Sequence, residues 1–312
     1  MDSDTSSSNT ITIRSVTVVS IASFAYLLFS AFLVGFKSDQ VVLVVLFNLL
    51  FYTSAITRKF ITGFSIFVAY WVIFDYMKAF PNYEFSTVHI ADVYNFEKHL
   101  FGIHYLGKLL TPNEYLRING SSFLDVLTGI FYLCWIPVPM GFAVYLFFTR
   151  RRQFLLFLFT FVLVNFLGFI VYYTFPVAPP WYIQDHGFVF HELRTGSTAG
   201  LAKFDAYFNV NIFKSIYSKG SNVFAAMPSL HSSYPVIVLY YGLKNKLGKA
   251  NIFFGIVMLG IWFSAVYLSH HYVVDVLAGV ICAITGISLF NLLLSKAKWF
   301  KRFIDNYENL IK

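Results

Sequence analysis

Met227-Pro228-Ser229-Leu230-His231-Ser232 and Ser269-His270-His271-Tyr272-Val273-Val274-Asp275 place imidazoles, hydroxyls and a carboxylate at the ends of strongly apolar stretches. Ionisable groups beside hydrocarbon are costly, and they mark function before packing. An imidazole held by a carboxylate is the pairing that readies a ring nitrogen as nucleophile or base. On a continuous helical turn Asp275 sits about 40° round from His271 and about 140° from His270. The spacing therefore selects His271 as the partner of the carboxylate, fixing its tautomer and leaving the other nitrogen to react. Pro228-Ser229-Leu230-His231 reads as a helix start, where unpaired N–H groups and the macrodipole suit a phosphate. Ser229 either assists that anion or only caps the helix. His231, His271 and Asp275, with His270 as a fourth donor, are residue types that ligate a metal, but no cluster of carboxylates accompanies them and no metal is expected.

These groups need helices to carry them. The chain has 312 residues, 58% hydrophobic and 12% charged, against about 25% charged in soluble domains. Long runs free of charge, such as Arg14 to Lys37, Arg152 to Asp185 and Lys249 to Asp275, exceed or approach the roughly 20 residues that cross a bilayer. The expected fold is an all-α polytopic membrane bundle of about eight transmembrane helices with additional interfacial helices. Its divisions are a polar tail (1–12), N-terminal transmembrane helices (13–80), interfacial helices (81–124), a catalytic transmembrane core (125–295) and a basic tail (296–312). The tail at 1–10 is acidic and polar, unlike a cleavable leader, and is expected to be disordered. Cys134 and Cys282 lie inside apolar spans, so no disulfide framework is expected.

Val93, Phe96, Leu100 and Ile103 recur at helical spacing among charged residues, which predicts an amphipathic helix in the interface, a structural collar more than a substrate contact. Thr111-Pro112-Asn113-Glu114 offers an N-cap, a proline at the first helical position and a reciprocal glutamate. Pro137 and Pro139 must kink the fourth span. Pro176, Pro179 and Pro180 end the fifth, with Trp181 and Tyr182 at the interface. If the spans alternate, the ends carrying Pro179-Pro180-Trp181, His231, His271 and Asp275 all open at one mouth. Most of the 23 lysines and arginines then share the other side. By the positive-inside rule that side is cytoplasmic, and the reactive mouth faces a periplasm or an organelle lumen. The basic balance is thus a topology signal, with no support for nucleic-acid binding.

The Pro-Ser-x-His segment followed by His-x-x-x-Asp resembles the signature of the type 2 phosphatidic acid phosphatase superfamily. Within it, Ala178-Pro179-Pro180-Trp181-Tyr182, Met227 to Ser232, Tyr267 to Asp275 and Gly200 to Asp205 are similar to inositol phosphorylceramide synthases, over about 174–280. That resemblance implies a six-helix core and a two-step phosphoryl transfer without metal or other cofactor. His271 would be the nucleophile, Asp275 its orienting partner and His231 the acid and then the base. The lipid substrates would meet Ser229, Leu230, Pro179, Pro180, Trp181, Tyr182 and His270, with Arg194 and Lys203 as available cations. Two departures carry information. The superfamily's arginine before the nucleophile falls on Ala265, and no basic motif precedes the Ala-Pro-Pro-Trp segment. A dianionic monoester calls for clustered cations, whereas a monoanionic diester needs fewer. The expected partners are therefore a phospholipid donor, phosphatidylinositol, and a ceramide-like acceptor, with diacylglycerol released. A lipid phosphatase on the same fold is the alternative, and a transporter with an intramembrane His-Asp relay is less favoured.

Overall fold

The computed structural model describes residues 11–193, 195–218 and 222–312; the polar tail at 1–10 and Arg194 lie outside them. In chain order come helices α1 (Ile13–Leu33), α2 (Ser38–Thr53), α3 (Ala55–Tyr76) and α4 (Ala91–Phe101). A two-stranded antiparallel hairpin follows, β1 (Ile103–Tyr105) and β2 (Lys108–Leu110), then α5 (Pro112–Ile118) and α6 (Ser122–Leu133). The chain continues through α7 (Pro137–Thr149), α8 (Arg151–Thr174), α9 (Pro180–His186), α10 (Ala202–Phe208) and α11 (Ile212–Tyr217). It closes with α12 (Leu230–Lys244), α13 (Ala250–Tyr267), α14 (Val273–Lys296) and α15 (Lys298–Ile311).

The expected all-α polytopic bundle is what forms. Among the described residues, six helical stretches are long and apolar enough to cross a membrane: Ile13–Leu33, Ala55–Ala79, Ser122–Thr149, Arg151–Thr174, Ala250–Tyr267 and Val273–Lys296. The other two of the eight anticipated helices, α2 and α12, are shorter at 16 and 15 residues. The stretch Ser122–Thr149 is interrupted after Leu133 and restarts at Pro137, the break that Pro137 and Pro139 foretell, because neither can donate a helical N–H.

The chain divides into two compact units. In the unit formed by Met1–Phe80 and Arg302–Lys312, residues 302–312 are not a free basic tail. Ile304 and Ile311 are buried, and Tyr307 Oη donates to the Thr62 carbonyl of α3 at 2.7 Å. These apolar residues recur at helical spacing, so one face of α15 covers hydrocarbon.

In the unit Pro81–Lys301, α12 packs on α8, α13 and α14, while α14 packs on α8, α13 on α6 and α7 on α8. Glycine permits the closest approach. A Cβ added to Gly279 of α14 would lie 2.2 Å from the Ser229 carbonyl oxygen at the start of α12. Small residues of this kind let helix backbones meet in lipid. Pro235, inside α12, supplies no N–H to the carbonyl one turn earlier, at His231, and the next carbonyl, of Ser232, accepts from the Trp262 indole at 3.0 Å.

The interfacial segment differs from its expected register. The α4 helix exists, but Ile103 belongs to β1, and Phe96 and Leu100 are half-exposed. The buried stripe instead contains Val93 and Glu97, one turn apart. The capping box at Thr111 and Glu114 forms as expected and starts α5.

Candidate active site

Ser229 is the N-cap of α12, its Oγ accepting from the Ser232 N–H at 3.3 Å and from Ser232 Oγ at 3.0 Å. Its backbone N–H donates to the Asp275 carbonyl at 2.9 Å, tying the first turn of α12 to the first turn of α14. Ser229 is fully buried, so the capping role is the one its side chain performs here. His231 stands in the first turn, half-buried, with the edge of Trp135 against it at a ring separation of 4.5 Å.

The second motif forms the turn between α13 and α14. Both the His270 and His271 N–H groups donate to the Ala265 carbonyl, at 3.1 and 3.0 Å, and Ser269 adopts a left-handed φ of 60°. This corrects one premise of the sequence reading. Tyr272 is extended and caps α14, so His271 precedes the helix and shares no continuous turn with Asp275. The two are nevertheless near, with His271 Nδ1 3.8 Å from Asp275 Oδ2. The closer partner of Nδ1 is the Ala226 carbonyl at 2.9 Å. A carbonyl only accepts, so Nδ1 carries the proton and Nε2 carries the lone pair. Fully buried Asp275 instead accepts the Tyr272 N–H at 2.8 Å through Oδ2.

His271 Nε2 lies 3.1 Å from His231 Nδ1, which is also 3.2 Å from the Tyr132 hydroxyl. Two imidazoles, one in the first turn of α12 and one in the turn before α14, therefore meet nitrogen to nitrogen, with a buried carboxylate behind one of them. Among the described residues no three His, Cys, Asp or Glu side chains are grouped to hold a metal ion.

The other expected contacts are placed as follows. His270 is buried, stacked against Tyr132 and Tyr217 at 5.3 and 4.7 Å, and donates through Nε2 to the Thr198 carbonyl at 3.2 Å. Burial, and then the neighbouring His271, hold the His270 ring down to about 3. Pro179 and Pro180 start α9, and the Trp181 N–H donates to the Ser269 carbonyl at 3.0 Å, so this motif braces the histidine turn through its backbone. Tyr182 is fully buried, and its hydroxyl donates to the Val189 carbonyl while accepting from the His191 N–H. Leu230 is buried over Gly168, where a Cβ would lie 2.7 Å from its Cδ2. Lys203 is half-exposed and pairs with Asp125 at 3.3 Å.

Four groups around the site went unread in the sequence: Tyr132, Trp135, Asn113 and Glu97. Asn113 is fully buried and donates from Nδ2 to the carbonyls of Val266 and His271, at 2.7 and 2.9 Å. Glu97 accepts from the N–H groups of Val273 and Val274 at 2.9 and 3.0 Å. A signal for Glu97 existed: it falls one helical turn after Val93, a carboxylate on an apolar stripe.

The family model of the PAP2 superfamily matches residues 109–289. The chain belongs to the PAP2 superfamily. Its similarity to the phosphoinositol dihydroceramide synthase of Bacteroides thetaiotaomicron is 40% identity over 301 residues, 96% of this chain and 98% of that one. It is 34% identical over 121 residues to the inositol phosphorylceramide synthase catalytic subunit of Saccharomyces cerevisiae, covering 37% of this chain and 29% of the yeast protein. The inositol phosphorylceramide synthase of Candida albicans is 32% identical over 128 residues, 41% of this chain and 27% of that one. No solved structure matches. Both the superfamily and the synthase resemblance expected from the motifs are therefore found, in an integral, multi-pass membrane enzyme.

Proposed function

We propose that this chain is an inositol phosphorylceramide synthase, moving inositol phosphate from phosphatidylinositol to a ceramide-type lipid and releasing diacylglycerol. The observation that carries this reading is the similarity to a phosphoinositol dihydroceramide synthase along nearly the whole of both chains. The meeting of His231 and His271 supplies a mechanism for it.

His271 Nε2, with its proton held on Nδ1 by the Ala226 carbonyl, attacks the phosphorus of the donor diester. The P–O bond to diacylglycerol breaks as His231, in its imidazolium form, gives a proton to the leaving oxygen. The donor phosphate enters between the two rings, replacing their mutual hydrogen bond. Phosphorylation at Nε2 leaves the His271 ring cationic, and the Asp275 carboxylate 3.8 Å away balances that charge. His231, now neutral, takes the proton of the acceptor hydroxyl, whose oxygen attacks phosphorus and frees His271. The scheme routes no step through a metal.

The electrostatics favour a diester donor. The position of the superfamily's arginine is held by buried Ala265, whose carbonyl secures the histidine turn, and Lys203 is occupied by Asp125. Charge-assisted hydrogen bonds contribute about 1.5–3 kcal/mol each, so a dianionic monoester loses more than a monoanionic diester when they are missing. The reactive groups gather at helix ends, which favours interfacial chemistry over a midplane transport relay. The charge distribution supports a mouth on the non-cytoplasmic side, facing a periplasm or organelle lumen. Cysteine placed at Ser197 is then labelled by an impermeant reagent in intact cells, and cysteine at Lys244 is not; the opposite pattern reverses the orientation.

Purified enzyme in detergent, given labelled phosphatidylinositol and ceramide, should form inositol phosphorylceramide and turn over phosphatidic acid slowly. Faster release of phosphate from phosphatidic acid, with no effect of ceramide on the products, would favour the phosphatase instead.

A further inference from the structure

The turn carrying His271 is fastened from outside the two histidine motifs, by side chains of the interfacial segment. Asn113 holds the His271 carbonyl. Both oxygens of Glu97 hold the first two N–H groups of α14, across 176 and 177 positions of sequence. Glu97 is fully buried, and it precedes the residues matched to the superfamily.

A helix start is ordinarily satisfied by a local side chain or by water. Asp275 accepts the Tyr272 N–H at 2.8 Å, the Tyr272 side chain makes no cap bond, and the first two N–H groups of α14 therefore take their side-chain acceptor from Glu97, on a distant segment, where a local serine, asparagine or water would ordinarily serve. Bringing a second carboxylate into the interior beside Asp275 carries a desolvation cost that capping alone does not require. The gain is geometric. Tyr272, Val273 and Val274 link His271 to Asp275, and with the Tyr272 N–H on Asp275 and the other two on Glu97 every N–H of the link is anchored. Reacting groups that lose about 1 Å of registration lose on the order of a hundredfold in rate.

We infer that Glu97 is a positioning residue of the transfer reaction, fixing the start of α14 and through it the His271 ring and the Asp275 carboxylate. The inference rests on the reading that His271 reacts with phosphorus. Because Glu97 acts through a group common to transfer and hydrolysis, its loss slows both alike. Glu97 is fully buried with both oxygens on the α14 backbone, so lipid binding is preserved.

The test is steady-state kinetics of Glu97→Ala and Glu97→Gln full-length enzyme in detergent, with phosphatidylinositol and ceramide varied separately and His271→Ala as the reference. Melting temperature and elution profile are recorded for every protein. Glu97→Ala should lower kcat ten- to a hundredfold with both KM values unchanged and the ratio of transfer to hydrolysis unchanged. Glu97→Gln, which keeps one acceptor oxygen, should recover part of the loss. Wild-type kcat in a folded Glu97→Ala enzyme, or a rise in KM alone, overturns the inference. So does unfolding of both variants, since the clamp then serves the fold and not the histidine. If His271→Ala remains active, the failure lies in the assignment of His271 and not in Glu97.

Discussion

His271 Nδ1 sits 2.9 Å from the Ala226 carbonyl and 3.8 Å from the Asp275 carboxylate, so a backbone oxygen fixes the tautomer and the acid lies behind it. Ala226 immediately precedes Met227-Pro228-Ser229, which makes the strand-like approach to α12 part of the same device. In the proposed mechanism Asp275 has a separate task, balancing the charge that develops on the ring.

The two adjacent histidines should separate cleanly. His271→Ala should remove turnover on the order of ten-thousandfold. His270→Phe keeps a ring against Tyr132 and Tyr217 and should keep kcat within about tenfold, at some loss of stability from the missing bond to Thr198. Initial rates of lipid product formation with folded protein decide it. Equal losses from both substitutions would contradict the assignment.

Gly279→Ala should displace the start of α12, because the new Cβ falls 2.2 Å from a backbone carbonyl that cannot swing away. The expected cost is about 1–3 kcal/mol of stability together with a fall in kcat. Gly255→Ala, in α13 with nothing within 4 Å of its Cβ, serves as the control and should be neutral or slightly stabilising. Thermal melts and rates of the two variants check this; indistinguishable behaviour would mean the approach of α12 to α14 is looser than described.

Stability against pH carries opposing signatures from two buried groups. Burial, with a smaller part from Asp275, pushes the Glu97 carboxyl from 4.5 up to about 7. Across that window the folded chain holds a proton the unfolded chain has released, so stability falls as pH rises. His270 is held from 6.5 down to about 3, so in its window the unfolded chain binds the extra proton and stability rises with pH. Each slope reaches at most about 1.4 kcal/mol per pH unit. Relative to the wild type, Glu97→Gln should therefore gain stability with rising pH between 4.5 and 6.5, and His270→Phe should lose it. Parallel denaturation midpoints for all three proteins would refute the pair of shifts.

Much of this was legible in the sequence because hydrocarbon leaves few choices. Charge-free runs marked the spans, the paired prolines marked the break before α7, and the convergence of His231, His271 and Asp275 followed from alternation. The register of His271 and Asp275 was misread because helical spacing was assumed where Tyr272 caps the helix. For Trp181 and Tyr182 the sequence announces interfacial aromatics but not their bonds: the Trp181 N–H braces the Ser269 carbonyl, and the Tyr182 hydroxyl is held between Val189 and His191. Asn113 escaped because its partners are backbone groups distant in sequence, and for Glu97 the local hint, a carboxylate one turn after Val93, gave no indication of its equally distant partners.

The central claim, that the head group passes through a covalent bond to His271, is tested most directly by the steric course at phosphorus. Phosphatidylinositol made chiral at phosphorus is converted to inositol phosphorylceramide, and the configuration of the product is determined. Two successive in-line displacements predict retention. Inversion would mean that ceramide attacks the donor directly, and it would contradict the account.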